Sequence, residues 1–259
     1  MTICIAAIGK DKDGKELIVF ATDHMISHPQ IGQFERAIAK YKKLDLTTVA
    51  MLSGDPLIFD DLIKKCKETC NFDLTKETIR QNMNNLRNDI VQKQILDIFK
   101  MNYDYLKEVL RGPIQNPYVN NVIEAVSKFN LMTVILLIGF KEEAAQIMEI
   151  NENRAVDLRD INFGAIGSGA VQAINTLLFQ RHSKDDSLPT TVYNVYKAKR
   201  NAEVSTGVGK ETDVMILTRS GVEELNSDKI GVLAKIYDDE LKFGKTHKNL
   251  YEIVEPTIK

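Results

Sequence analysis

Residues 2–23 constrain the fold more than any other stretch, because two apolar strands joined by a short polar turn must return on each other. Ile3, Ile5 and Ile8 with Cys4, Ala6 and Ala7 read as a buried-type strand, and Leu17-Ile-Val-Phe-Ala21 is continuously apolar. Between them Lys10-Asp-Lys-Asp-Gly-Lys15 is polar and holds a glycine suited to positive φ, so the pair predicts a β-hairpin. An antiparallel hairpin places the far ends of its strands together, which brings the Asp23 carboxylate beside Thr2.

If the initiator Met1 is removed, Thr2 becomes a free N-terminus that carries a hydroxyl nucleophile and an α-amine on one residue. Such an amine has an ordinary pKa of roughly 7.7–8.0, so near pH 7 a usable fraction is neutral and accepts the hydroxyl proton, directly or through a water. An aminopeptidase removes methionine before small residues such as Thr, so no self-cleavage is required. Thr is also a common second residue, and most chains beginning Met-Thr use it for nothing; the residues downstream of Thr2 give this one its weight.

Along the chain, strands are predicted to about residue 54, helices from about 56 to 128 and strands again from 131 to 168. A broken helix follows over 169–200 and a strand over 212–218. Thr75 is expected to cap a helix that carries Ile79, Met83, Leu86 and Ile90 on one face. A further helical stretch over 103–110 is stopped by Gly112-Pro113. Beyond Thr218, residues 228–243 predict an amphipathic helix and Tyr251-Glu-Ile-Val-Glu255 a final strand or extension. Helices grouped apart from strands predict an α+β layered fold rather than a doubly wound parallel sheet.

At 259 residues the chain is long enough to bury roughly three quarters of its unfolded surface. A net charge of -2 with scattered Lys and Arg gives no electrostatic case for nucleic acid or an anionic membrane. No basic and apolar leader precedes Thr2, and the longest apolar run, 131–140, falls far short of the ~20 residues of a spanning helix, so a cytoplasmic protein is expected. Cys4, Cys66 and Cys70 read as reduced structural thiols, and His24 and His28 offer two metal ligands at most, so neither metal nor cofactor is expected. Gly164-x-x-Gly167-x-Gly169 lacks the dinucleotide glycine order, and Gly207-Val-Gly-Lys210 runs into Glu211 where a phosphate loop needs Ser or Thr.

Six pieces in order, Thr2-Ile-Cys-Ile-Ala with Ala21-Thr-Asp23, Ala39-Lys40 before Leu44-Asp45, Leu52-Ser-Gly-Asp55, Ile138-Gly-Phe140 before Ile147-Met-Glu-Ile150, Ala165-Ile-Gly-Ser-Gly169 and Glu203-Val-Ser-Thr-Gly207, resemble the proteasome β-type subunits. These are N-terminal nucleophile (Ntn) hydrolases, and the chain looks like a divergent archaeal or bacterial relative. The resemblance implies a four-layer αββα sandwich of two antiparallel sheets over residues 1–218, with a helical insertion at 97–129 and a C-terminal helical extension at 219–259.

It also implies site roles. Thr2 is the nucleophile, Lys40 lowers the cost of its alkoxide and helps keep the terminal amine neutral, and Asp23 holds Lys40 by a charge-assisted hydrogen bond. Gly54 resembles the backbone N–H donor of an oxyanion hole, and Ser168 a serine near the terminal amine. Glu203 and Thr206 stand where the family has Asp and Ser, with Asn201 as the counterpart if the register slips by two. Asp55 makes the cleft more acidic than usual. Without the resemblance Lys40 reads as a solvated lysine beside Lys42 and Lys43, Asp23 as a turn cap, and Ser168 as the cap of the helix at 170–180. The implied function is a threonine protease or amidohydrolase acting on a peptide or other amide substrate. It would form a homo-oligomeric ring or stacked rings and take an ATPase partner. The competing class is a catalytically inactive proteasome-like scaffold or binding subunit.

Overall fold

A computed structural model of the chain describes residues 2–28, 32–35, 40–64, 66, 71–112 and 117–244. Met1, Ala39, Cys70, Pro113 and the stretch 251–255 therefore lie outside the described residues. The elements in chain order are β1 (Ile3–Lys10), β2 (Glu16–Asp23), β3 (Met25–His28), β4 (Gly32–Glu35), β5 (Tyr41–Lys43), β6 (Val49–Ser53), α1 (Phe59–Leu62), α2 (Phe72–Val91), α3 (Tyr103–Leu110) and α4 (Pro117–Lys128). They continue with β7 (Val134–Lys141), β8 (Ala144–Ile150), β9 (Ala155–Asp157), β10 (Phe163–Gly167), α5 (Ala170–Phe179), α6 (Leu188–Ala202), β11 (Thr212–Thr218), β12 (Gly221–Glu224) and α7 (Ser227–Gly244).

The first hairpin forms as expected, with Cys4 opposite Thr22 and Lys10 opposite Glu16. Its turn is tied by Asp11 Oδ1, which accepts from the Asp13 and Lys15 N–H groups at 2.9 and 2.8 Å, and Gly14 takes a φ of 77°. The hairpin sits inside one antiparallel five-stranded sheet of order β10-β1-β2-β11-β12; a second has the order β5-β6-β7-β8-β9. β3 and β4 form a separate pair.

The continuous apolar run of β1 has a direct cause, since both faces of its sheet are covered. Ile3, Ile5 and Ala7 face Ala173, Leu177, Val195 and Tyr196 of α5 and α6, with Tyr237 of α7 in the same cluster. Cys4, Ala6 and Ile8 face Val49, Met51, Leu136 and Ile138 of the second sheet. The outer face of that second sheet, with Ala50, Leu52, Ile135 and Leu137, is closed by Phe59, Phe72, Ile79 and Met83 of α1 and α2. Two antiparallel sheets thus pack face to face with helices outside each, an α+β sandwich. Each fully buried Ile, Leu or Phe in these layers contributes roughly 1.5–3 kcal/mol.

Three local readings are corrected. Helix α2 starts earlier than Thr75: Asn71 caps it, accepting from the Asp73 and Leu74 N–H groups, and Thr75 is buried inside the helix. Thr75 misleads as a cap because Asn71, four residues earlier, already satisfies the first amides of the helix. Ser168 does not cap α5, whose N-cap is Gly169 with no side-chain bond. The first sheet also continues past Thr218 into β12, where Leu217 pairs with Val222, so the segment assigned to the extension begins as a strand. Residues 97–129 hold α3 and α4, which share a small separate core of Val91, Leu96, Leu106 and Val122 with the end of α2.

One buried group makes the fold sensitive to acid. His182, with a fully buried side chain, places Nε2 2.9 Å from the Ile8 carbonyl and Nδ1 3.1 Å from Asp186. Burial holds its imidazole below the ordinary value near 6.5 despite both partners. With the native pKa depressed, the unfolded chain takes up a proton that the folded one refuses. Stability is therefore complete above about pH 6.5 and falls as pH drops through the lower native value. Thermal unfolding at several pH values should show this acid limb, and His182→Gln should flatten it.

Candidate active site

The hairpin register fixes the first half of the site. Thr22 lies opposite Cys4, so the next position puts Asp23 at the open end of β2 beside Thr2, and the Ile3 N–H donates to Asp23 Oδ1 at 3.1 Å. The Thr2 hydroxyl donates to the same oxygen at 2.5 Å. Thr2 is 3% exposed and Asp23 is fully buried. A buried carboxylate needs several donors, and the second oxygen of Asp23 finds its own in the Gly209 N–H at 2.7 Å.

Lys40 arrives from the other sheet. It directly precedes β5, and its carbonyl accepts from the Leu52 N–H at 3.1 Å, which extends the β5–β6 ladder by one step. Its ammonium donates to Asp23 Oδ1 at 2.5 Å and to the Thr2 hydroxyl oxygen. With a side chain only 12% exposed, Lys40 is not the solvated lysine that its neighbours suggest. Lys42 does take that surface role, pairing with Asp60. The Thr2 hydroxyl therefore donates to a carboxylate and accepts from an ammonium, the arrangement that favours charge developing on its oxygen.

Cys4 lies beside this cluster, its thiol 3.6 Å from the Leu52 carbonyl. Burial pushes its pKa up to about 12, outweighing the opposing charge of Lys40, so it stays an inert thiol next to the hydroxyl. Two residues past Leu52, Gly54 ends β6 with a φ of 134°, and a Cβ there would come within 2.5 Å of Thr133 Oγ1. Only glycine fits that turn. Asp55 next to it accepts from the Leu57 N–H at 2.9 Å and caps the short helical turn at Pro56–Ile58.

On the opposite side of Thr2, Gly167 pairs with Ile3, and Ser168 turns its hydroxyl to the Thr2 carbonyl at 3.4 Å. Gly167 has a φ of 108°, and an added Cβ would lie 2.1 Å from that same carbonyl oxygen. Gly167→Ala is therefore expected to cost about 2–5 kcal/mol, from steric overlap and a disfavoured backbone region together. In thermal unfolding this is a fall of roughly 5–15 °C for a chain of this size. Gly14→Ala serves as the control, since its φ is also positive but nothing lies within 4 Å of the added Cβ.

Among the described contacts, neither Glu203 nor Thr206 bonds directly to Thr2, Asp23 or Lys40. The Glu203 carboxylate is taken by Lys199 at 2.7 Å, with Arg200 at 3.7 Å, while Thr206 is exposed. Asn201 bonds Thr176 at 3.0 Å and accepts from the Tyr237 hydroxyl at 2.6 Å, tying α6 to α5 and α7. His24 pairs with Asp213 at 2.7 Å. The group missed in the sequence is the Gly209 N–H, which lies in the Gly207-Val-Gly-Lys210 stretch that fails as a phosphate loop; its glycines were the available signal. No protein-family model matches this chain, and no curated protein matches it either.

Proposed function

We propose that the chain is an N-terminal threonine hydrolase of the proteasome β-type, Ntn class, cleaving peptide or other amide bonds through an acyl-enzyme on Thr2 once Met1 is removed. The observation that carries this reading is the mutual contact of the Thr2 hydroxyl, the Asp23 carboxylate and the Lys40 ammonium between the two sheets. The packing of two antiparallel sheets between helices accords with the αββα architecture of that class.

In this mechanism Thr2 Oγ bonds to the amide carbon while its proton passes to the freed α-amine, directly or through water. The Lys40 ammonium offsets charge on the attacking oxygen, and the Gly54 N–H receives the oxyanion, a donor worth about 3–4 kcal/mol in the transition state. The α-ammonium then gives its proton to the leaving nitrogen as the C–N bond breaks, which leaves an ester on Thr2. Water attacks that ester as the amine takes its proton, and the ammonium returns that proton to Thr2 Oγ as the ester C–O bond breaks and the carboxylic acid departs. The same reading has the chain working in the cytoplasm as a homo-oligomeric ring or stacked rings, with an ATPase partner. No described helix is long and apolar enough to cross a membrane.

The scaffold reading draws on one observation, that Glu203 is engaged by Lys199 rather than by the nucleophile. Intact-mass measurement of the chain from its own cells, combined with a pre-steady-state assay on an activated amide, separates the two. Loss of Met1 together with a burst of one product per chain supports the hydrolase. Quantitative retention of Met1 without turnover supports the scaffold.

A further inference from the structure

The charged cluster does not end at Asp23. Lys199 on α6 has a fully buried side chain, where an ammonium is tolerated only with strong partners. It has two: Glu203 Oε1 at 2.7 Å and the Lys210 carbonyl at 2.7 Å. Lys210 directly follows Gly209, whose N–H holds Asp23 Oδ2. Asp23 also attracts Lys199 at longer range, so four charges alternate from the nucleophile inward: Lys40, Asp23, Lys199 and Glu203, with Arg200 at the edge of Glu203.

We propose that Lys199 is a positioning residue of the nucleophile centre. With Glu203 it clamps the 203–210 loop to α6, so that the Gly209 N–H fixes one oxygen of Asp23 and leaves the other facing Thr2 and Lys40. A pair that served stability alone has a simpler solution, because apolar residues of similar volume at a buried ion-pair site are often neutral or stabilising. Here the ammonium's remaining bond goes to the loop that orients the catalytic carboxylate, which gives the charge a use that apolar packing does not supply. This inference rests on the hydrolase reading.

The test compares the wild type with Lys199→Met/Glu203→Met, which removes both charges and orphans neither. Two quantities are read: the rate of adduct formation at residue 2 with a β-lactone probe, and hydrogen exchange at the Gly209 amide by NMR. The expected result is a maximal adduct rate lower by at least tenfold, a half-saturating probe concentration changed less than twofold, and a Gly209 amide exchanging at least tenfold faster. An adduct rate within twofold of wild type, or unchanged Gly209 exchange, overturns the proposal. Should the double variant not fold, Lys199→Met, which removes the donor to the Lys210 carbonyl and leaves Glu203 beside Arg200, is read in the same way. If the wild type itself takes no label at residue 2, the hydrolase reading falls. The Gly209 exchange then decides alone whether Lys199 holds the loop on Asp23.

Discussion

Thr2→Ala is expected to lower amide hydrolysis by about 10⁴-fold or more while the fold stays intact. In the proposed mechanism the Thr2 hydroxyl attacks, and the Cys4 thiol beside it is held inert by burial and does not replace it. The structural loss is small by comparison. Asp23 keeps the Lys40, Ile3 and Gly209 donors when the Thr2 hydroxyl is gone, so the carboxylate is not orphaned. Steady-state kinetics beside thermal unfolding checks both halves, and Thr2→Ser, which retains an attacking hydroxyl, should recover a large part of the rate.

Asp23→Asn is expected to damage stability and activity together. Replacing the carboxylate with an amide of the same shape leaves the nearly buried Lys40 ammonium without its counter-charge, and breaking such a pair costs about 3–5 kcal/mol. The amide must also present an N–H on one of two sides already filled by donors: Gly209 on one, and Thr2, Ile3 and Lys40 on the other. One donor therefore faces another, and Thr2 loses the partner that orients it. Denaturant unfolding should register the stability loss. The rate at a temperature where the variant is still folded should fall at least 100-fold, because displacements of about 1 Å at a reacting group are enough for that. A fall in rate no greater than the unfolded fraction would show Asp23 to be structural only.

Much of this was readable from residues. The hairpin followed from two apolar runs around a polar turn with Gly14, and its geometry alone brought Asp23 to Thr2. Lys40 was readable only through resemblance, because a lysine beside Lys42 and Lys43 carries no local sign that its backbone continues a ladder against Leu52. β12 escaped because Gly221-Val-Glu-Glu224 has one apolar residue and owes its strand to pairing with β11. Glu203 was drawn towards the nucleophile by motif order, whereas the structure turns it onto Lys199, one helical turn earlier on α6. The Gly209 contact is a backbone donor, and a side-chain pattern does not encode where a main-chain N–H points.

The most direct measurement treats the mature chain with an electrophilic threonine-directed inhibitor and maps the adduct by peptide mass spectrometry. One adduct per chain is expected, on residue 2, with Met1 absent and no labelling in Thr2→Ala. An adduct on any other residue, or equal labelling of the Thr2→Ala variant, would contradict it.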